Sequence, residues 1–544
     1  KAKKGLSLWL AFLRMMSVVV AGCNDKPAAT GGNKDGNAAD GRTDGNLNAS
    51  GMPIVNSPIT LKMVAGQSPT TAPDWNKVML WQEYEKMTNI HVEWEMIPFA
   101  NLTEKRNIML AGGGYPDAFF TAQIPVSDLI KYGSQGVFIR LNDLIDKHAP
   151  NIKKLIDAYP VVKKGLTMPD GNIYSIPMIF DPNFTSVLTG PKMWVRKEWL
   201  DKLNLQEPQT TEDFYNLLRA FKEKDPNGNG QQDEIPYAGA GIAPLINYLK
   251  GAWGLGNRGN GHANVDVDPQ TGKLRFIPAD SQYKELLEFI QKLYNEGLIN
   301  KDIFTVQANQ YYAKGSEGVY GTMMISSPYT LMNQKGYVGL GALTGPRGDR
   351  VYAAVGSPLA AIGAFVITDK NKYPEATIRW IDYLYGEEGS KMFFMGFKDK
   401  SYKELPNGDL EYTEEITKNP QGLTFEQALV KYVVWPGGGY PNIVRQKYFK
   451  GAESTPEAVQ AAEKLKPFFP KEIWPTFSYT VKENERIVAL SADINNYVNE
   501  MTAKFITGNA SFSEWDQYVG TLTKMGLDEY MSIYQAAYDR YMHN

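Results

Sequence analysis

Asp170-Gly171-Asn172-Ile173-Tyr174-Ser175-Ile176-Pro177, followed after a short gap by Met193-Trp194-Val195-Arg196-Lys197-Glu198-Trp199-Leu200, carries the alternation on which the fold turns. Asp-Gly-Asn makes a turn, and the apolar residues behind it make a short strand. Residues 193–200 read as a strand running into a helix, which Asp201-Lys202-Leu203 continues. Thr210 then opens a further helix. It is a good N-cap with Asp213 at the third helical position, and Phe214, Leu217, Leu218 and Phe221 fall on one apolar face.

The same rhythm extends in both directions. Upstream, 59–64 and 91–97 read as strands around a helical stretch at 75–87. A helix over 102–110 stops at Gly112-Gly113-Gly114, and Pro116 to Phe120 reads as a buried strand. Downstream come the stretch Gly318 to Ile325 and, at 373–384, an amphipathic helix followed by Glu387-Glu388-Gly389. Strands alternating with helices of this length define an α/β chain with a largely parallel sheet. The roughly 490 residues that follow the N-terminal region are too many for one core, so two or more domains are expected.

The order of these pieces resembles the bacterial extracellular solute-binding proteins of the large type that serve sugar importers, over nearly all of the chain from residue 57 on. The resemblance implies a periplasmic-binding-protein-like architecture, two α/β lobes with a ligand cleft between them. Carried over, residues 57–185 plus 325–368 form the N-terminal lobe, and 186–324 plus 369–544 the C-terminal lobe. Chain crossings are expected near 178–192, 321–327 and 365–370, and the lobes are expected to close around ligand.

The N-terminal segment reads as a secretory signal. Lys1, Lys3 and Lys4 precede a mostly apolar run, broken by Arg14, that ends at Val20-Ala21-Gly22-Cys23. Cys23 is the one cysteine of 544 residues, so no disulfide can form within the chain. Val-Ala-Gly-Cys resembles a bacterial lipobox, which implies that residues 1–22 are a signal peptide and that Cys23 is lipidated, with palmitate among its acyl groups. Residues 23–56 are rich in Gly, Asn, Asp and Ala without an aromatic residue, and are expected to be a flexible tether. The expected location is the outer face of the cell membrane, in a Gram-positive host. A net charge of -3 argues against nucleic acid, and the protein is expected to be a monomer.

Asp225-Pro226-Asn227-Gly228-Asn229-Gly230-Gln231-Gln232-Asp233-Glu234 is the strongest local signal. Oxygen side chains at every second residue, then a glycine, are how an EF-hand loop begins. Asp225, Asn227 and Asn229 would be ligands, Gln231 would give its backbone carbonyl, and Asp233 stands at the ninth position. Pro236 replaces the usual Glu at the twelfth, so Glu234 is the available bidentate group. This shortened loop resembles that of alginate-binding importer proteins and implies a structural calcium.

Other signals fail. Gly254-Leu255-Gly256-Asn257-Arg258-Gly259 matches a dinucleotide fingerprint but follows a helical run rather than a strand. The four histidines are scattered and have no cysteine partners, which disfavours zinc. Aromatic content is 12%, which supplies flat faces for sugar stacking but suits a large core equally well. The candidate ligand residues are Trp253, Trp435, Tyr440 and Tyr329 for stacking, with Asp181 and Asn183 for hydrogen bonds; core packing is the alternative for each. Arg196 and Lys197 could attract an acidic sugar, but read more naturally as exposed charges. The leading reading is a lipid-anchored binding protein that captures an oligosaccharide and passes it to the membrane permease subunits of an ABC importer. The rival is a secreted, calcium-dependent glycoside hydrolase or lyase.

Overall fold

The computed structural model describes residues 45–543. The expected signal peptide and lipidated Cys23 lie outside the described residues.

Among the described residues fourteen strands follow in chain order: β1 (Ile59–Gln67), β2 (Ile90–Pro98), β3 (Ala118–Ile124), β4 (Ile176–Phe180), β5 (Lys192–Arg196), β6 (Ile235–Ala238), β7 (Val265–Val267), β8 (Leu274–Phe276), β9 (Tyr320–Ile325), β10 (Tyr337–Gly339), β11 (Leu359–Ile367), β12 (Tyr402–Glu404), β13 (Leu410–Tyr412) and β14 (Ile443–Val444). The larger sheet has the order β14-β4-β11-β3-β1-β2 and the smaller β10-β5-β9-β6. The pairs β7-β8 and β12-β13 are separate ribbons. In the larger sheet β1 runs parallel to both β2 and β3, and the long β11 is antiparallel to β3 and β4. The edge strand β2 alternates buried and exposed residues, whereas the central β3 is buried along almost its whole length. That difference follows from having one or two covered faces.

Each sheet lies in its own core. The first gathers Trp75, Trp81, Trp94, Phe120 and Trp380, with Trp81 stacked on Trp380 at 5.4 Å between ring centroids. The second forms around Trp199, Phe214, Phe221 and Tyr237, and extends to the 27-residue helix Val481–Thr507. The helix Thr211–Glu223 starts as expected, with Thr210 and Asp213 forming a capping box.

The cores divide the chain differently from the expected boundaries. The first crossing does fall within 178–192: the helix Thr185–Thr189 passes from one core to the other. The next two lie at 356–358 and just after Phe449. Residues 321–327 and 365–370 are not crossings, because β9 is an inner strand of the smaller sheet and β11 an inner strand of the larger. Hence 337–355 packs with the second core, and 374–449 with the first. A short, fully apolar strand reads alike in sequence whether it bridges two lobes or fills one.

The expected tether also ends earlier than residue 56. Leu47 bridges Val55, Ile54 and Val55 are buried, and Arg379 donates to the carbonyls of Asn48 and Gly51. The apolar pair Ile54-Val55 outweighs the Gly/Asn composition around it.

The segment 473–480 leads into the helix Val481–Thr507, and His262 holds it. Pro475 offers only a carbonyl there, so Nε2 donates to it at 2.8 Å, and Nδ1 accepts from the Tyr534 hydroxyl at 3.0 Å. The second bond needs a neutral ring, since a protonated Nδ1 has no lone pair to accept with, and burial depresses the His262 pKa to about 4. The unfolded chain therefore binds the extra proton first as pH falls below about 6.5, and stability is lost progressively toward pH 4. Asp382 works in the opposite direction, because burial raises its carboxyl to about 6. The His262 contribution is isolated by comparing the chain with His262→Gln in urea at several pH values. The wild type should lose about 2 kcal/mol more than the variant between pH 7 and pH 5. Parallel curves would refute the role given to His262.

Candidate functional site

In open α/β sheets a ligand sits outside the carboxyl ends of the strands, where the strand order reverses. Here the reversal lies between β1 and β3, since β2 is on one side of β1 and β3 on the other. A cavity of about 230 Å³ opens at that end of the sheet. Its walls include Gln123 and Ile124 at the end of β3, Leu359 and Ile362 on β11, Gly439, and Thr476 from the segment leading to the second core. No Lys, Arg, Asp or Glu is among its lining residues. Next to it is a tight pocket lined by Ser68, Thr121, Pro436, Gly438 and Tyr440.

The backbone at the end of β3 is unusual. Thr121 and Gln123 both occupy the left-handed region, at φ 53° and 51°. Arg106, 3% exposed, donates from Nη1 to the carbonyls of Ala122 and Gln123, each at 2.9 Å. None of these three residues was a sequence candidate, since positive φ at a threonine or glutamine leaves no mark in composition or periodicity.

The sequence candidates are dispersed. Asp181 and Asn183 do lie at the carboxyl end of β4, at the first crossing. They bond each other, the Asp181 carboxylate accepting from the Asn183 backbone at 2.9 Å and its amide at 3.1 Å. Trp253 is a core residue of the second lobe, 5.2 Å from Phe289. Trp435 is buried in the first, its Nε1 donating to the Phe394 carbonyl at 3.0 Å. Tyr440 is buried against Phe393 and Phe394 beside the tight pocket. Tyr329 is half-exposed over a different pocket of about 400 Å³, with Trp194, Tyr337, Thr455 and Glu457. Arg196 is not an exposed charge: it donates to Gln334 and Tyr337 and lies over the Tyr337 ring. Lys197 is paired with Asp201. Neither lines the cavity at the β3 end.

The loop 225–234 connects the helix Thr211–Glu223 to β6. Asp225 has φ 45° and Gly230 φ 74°, the sharp turns a wrapped loop needs. The Asp225 carboxylate accepts from the backbone of Gly228 and Gly230, and Asp233 from the amides of Asn227 at 2.7 Å and Asn229 at 3.0 Å. Those bonds hold the Asp233 pKa down. Glu234 is different: it is 9% exposed, burial raises its pKa, and its Oε2 has no hydrogen-bond partner among the described residues. Among those residues no three His, Cys, Asp or Glu side chains already converge as a metal cluster. The amides of Asn227 and Asn229 would have to turn their oxygens inward to bind a cation. A buried, unpaired carboxylate oxygen beside hard-oxygen donors nevertheless fits calcium.

Two α/β cores joined by several crossings, with a cavity at the switch point of the larger sheet, define a binding protein that holds its ligand between lobes. The chain belongs to the bacterial extracellular solute-binding protein family, whose pattern it matches over residues 68–391. It is 32% identical over 499 residues to the fructooligosaccharide ABC transporter substrate-binding protein FusA of Streptococcus pneumoniae serotype 4, covering 89% of this chain and 91% of that one. It is 25% identical to the lipoprotein LipO of Bacillus subtilis, covering 97% and 98%. The solved structure of FusA in complex with kestose superposes with a TM-score of 0.74 at 30% identity, over 89% of this chain and all of that one. An EF-hand mutant of FusA with fructo-nystose gives 0.72. Membership in a family of binding proteins displaces the hydrolase or lyase alternative.

Proposed function

We propose that this chain is the substrate-binding protein of an ABC importer, capturing an oligosaccharide in the cleft at the β3 end and delivering it to the permease subunits. The observation that carries the reading is likeness to FusA along nearly the whole chain, which puts a short, neutral oligosaccharide first. The cavity supports neutrality over a uronate, since a polyanion would want cationic partners and the lining offers none. Anchoring through Cys23 on the outside of a Gram-positive cell fits the sequence before it and the likeness to a lipoprotein. The loop 225–234 holds calcium as a structural ion, through Asp225, Asn227, Asn229, Asp233, Glu234 and the Gln231 carbonyl. The ion would supply the countercharge that Glu234 lacks.

Calorimetric titration of the purified chain in calcium with kestose, alginate oligomers and oligogalacturonate tests the reading. Kestose should bind in the micromolar range or tighter and be recovered intact by chromatography. Binding of the uronates alone would overturn the neutral assignment, and cleaved sugar would overturn transport.

A further inference from the structure

The turn at the end of β3 is more tightly constrained than a strand end needs to be. A left-handed threonine is a genuine outlier, and non-glycine residues held there cost about 1–3 kcal/mol each. Thr121 and Gln123 both carry that strain. The Thr121 hydroxyl is also buried without a hydrogen-bond partner among the described residues. Three neighbours enforce the geometry. Arg106 binds the two carbonyls from behind, with Asp128 at 3.7 Å from its Nη2. Gly66 on β1 approaches so closely that a Cβ would stand 2.4 Å from the Thr121 carbonyl oxygen. Gly363 on β11 would put one 2.0 Å from that of Ile124. The result of this grip is that Gln123 is exposed on the wall of the cavity, and its side chain makes no hydrogen bond among the described residues. Its amide offers both a donor and an acceptor where the remaining wall is largely apolar or backbone.

We propose that Gln123 is a specificity-determining contact for the saccharide, pairing with its hydroxyl groups, and that Arg106 is the positioning residue that holds Gln123 in place. This rests on the oligosaccharide reading above. The strain is kept because it preorganises the contact: a turn that relaxed in the free protein would present Gln123 correctly only part of the time, and apparent affinity would fall by that fraction.

The test is a double-mutant cycle in the full chain, read by kestose titration at a temperature where circular dichroism shows every variant folded. Gln123→Gly removes the amide and relieves its left-handed strain. It should weaken kestose binding at least tenfold while the melting temperature stays level or rises. Arg106→Met should weaken binding at least fivefold. The double variant should bind no more weakly than Gln123→Gly alone, because Arg106 acts through Gln123. If Arg106→Met does not fold, Thr121→Gly relaxes the same turn and should weaken kestose binding at least threefold without loss of stability. Full additivity, or variants that lose stability but keep wild-type affinity, would overturn the inference. A wild-type chain that binds no saccharide overturns the functional reading and this one with it. A wild type that binds while Gln123→Gly binds equally overturns this one alone.

Discussion

Trp380→Ala is expected to lower the unfolding free energy by about 3–5 kcal/mol, measured by urea denaturation. Trp380 sits on the helix Pro374–Tyr385 and is 1% exposed. Its ring stacks on Trp81 at 5.4 Å and meets Tyr84 at 5.4 Å and Phe120 at 6.2 Å. Trp81 in turn contacts Trp94 and Trp75, so the indole is the keystone of a cluster of six aromatic residues rather than a rim residue. Truncation leaves a cavity between rigid rings that cannot close over it, which puts the cost at the high end for a core deletion. The hydrogen bond from the Tyr84 hydroxyl uses only the backbone carbonyl of Trp380 and survives the substitution, so the loss reports packing. Near-ultraviolet dichroism should fall along with stability. A change below about 1 kcal/mol would mean that the first core repacks freely around this position.

The alternation of strands and helices was legible because its causes are local. Thr210 with Asp213 starts a helix by satisfying backbone groups within four residues, and Phe214 to Phe221 marks its buried face without reference to the rest of the fold. The turn at 225–234 was legible for the same reason, since its Asp and Asn side chains bond backbone groups only a few residues away. The later crossings were not, because β9 and β11 are apolar strands whose place in a sheet depends on partners far away in the chain, the nearest of them, β6, still 85 residues from β9 (Ile235 opposite Tyr320). Stacking residues failed in an instructive way. Trp253 and Trp435 lie in glycine-rich stretches that look like exposed platforms, yet Gly251 lets Trp253 sink until a Cβ there would meet the Val351 carbonyl at 1.8 Å. Glycine beside an aromatic residue marks close backbone approach here, not exposure. The contact singled out at the cavity, Gln123, owes its placement to Arg106, Gly66 and Gly363 on three different elements, and no window of sequence contains them all.

Calcium should stabilise the chain by about 3–4 kcal/mol at 1 mM, taking a dissociation constant of about 10⁻⁶–10⁻⁵ M for a loop of this kind. The measurement is urea denaturation in 1 mM calcium against excess chelator. The loop joins the helix Thr211–Glu223 to β6, so a bound ion fixes the junction between two elements of the second core. Without the ion Glu234 must bury an unpaired carboxylate oxygen, and the upward displacement of its pKa records that cost. A bound ion would offset most of the charge of the three carboxylates, and Asn227 and Asn229 would turn their amide oxygens toward it in place of their bonds to Asp233. Two controls separate this from a general salt effect. Asp225→Ala should abolish the calcium dependence while leaving stability in chelator within about 1 kcal/mol of wild type, since only exposed turn hydrogen bonds from Gly228, Asn229 and Gly230 are lost. Magnesium should stabilise far less, because it demands a regular octahedron and gives up its water reluctantly, which a loop of mixed carboxylates, amides and one carbonyl does not suit. The stabilisation should also shrink as pH falls through the raised Glu234 pKa, because a protonated carboxyl is a poor ligand and binding must then release the proton. Identical unfolding curves in calcium and chelator would reduce the loop to a hydrogen-bonded turn, and the orphaned Glu234 oxygen would then need a partner of another kind.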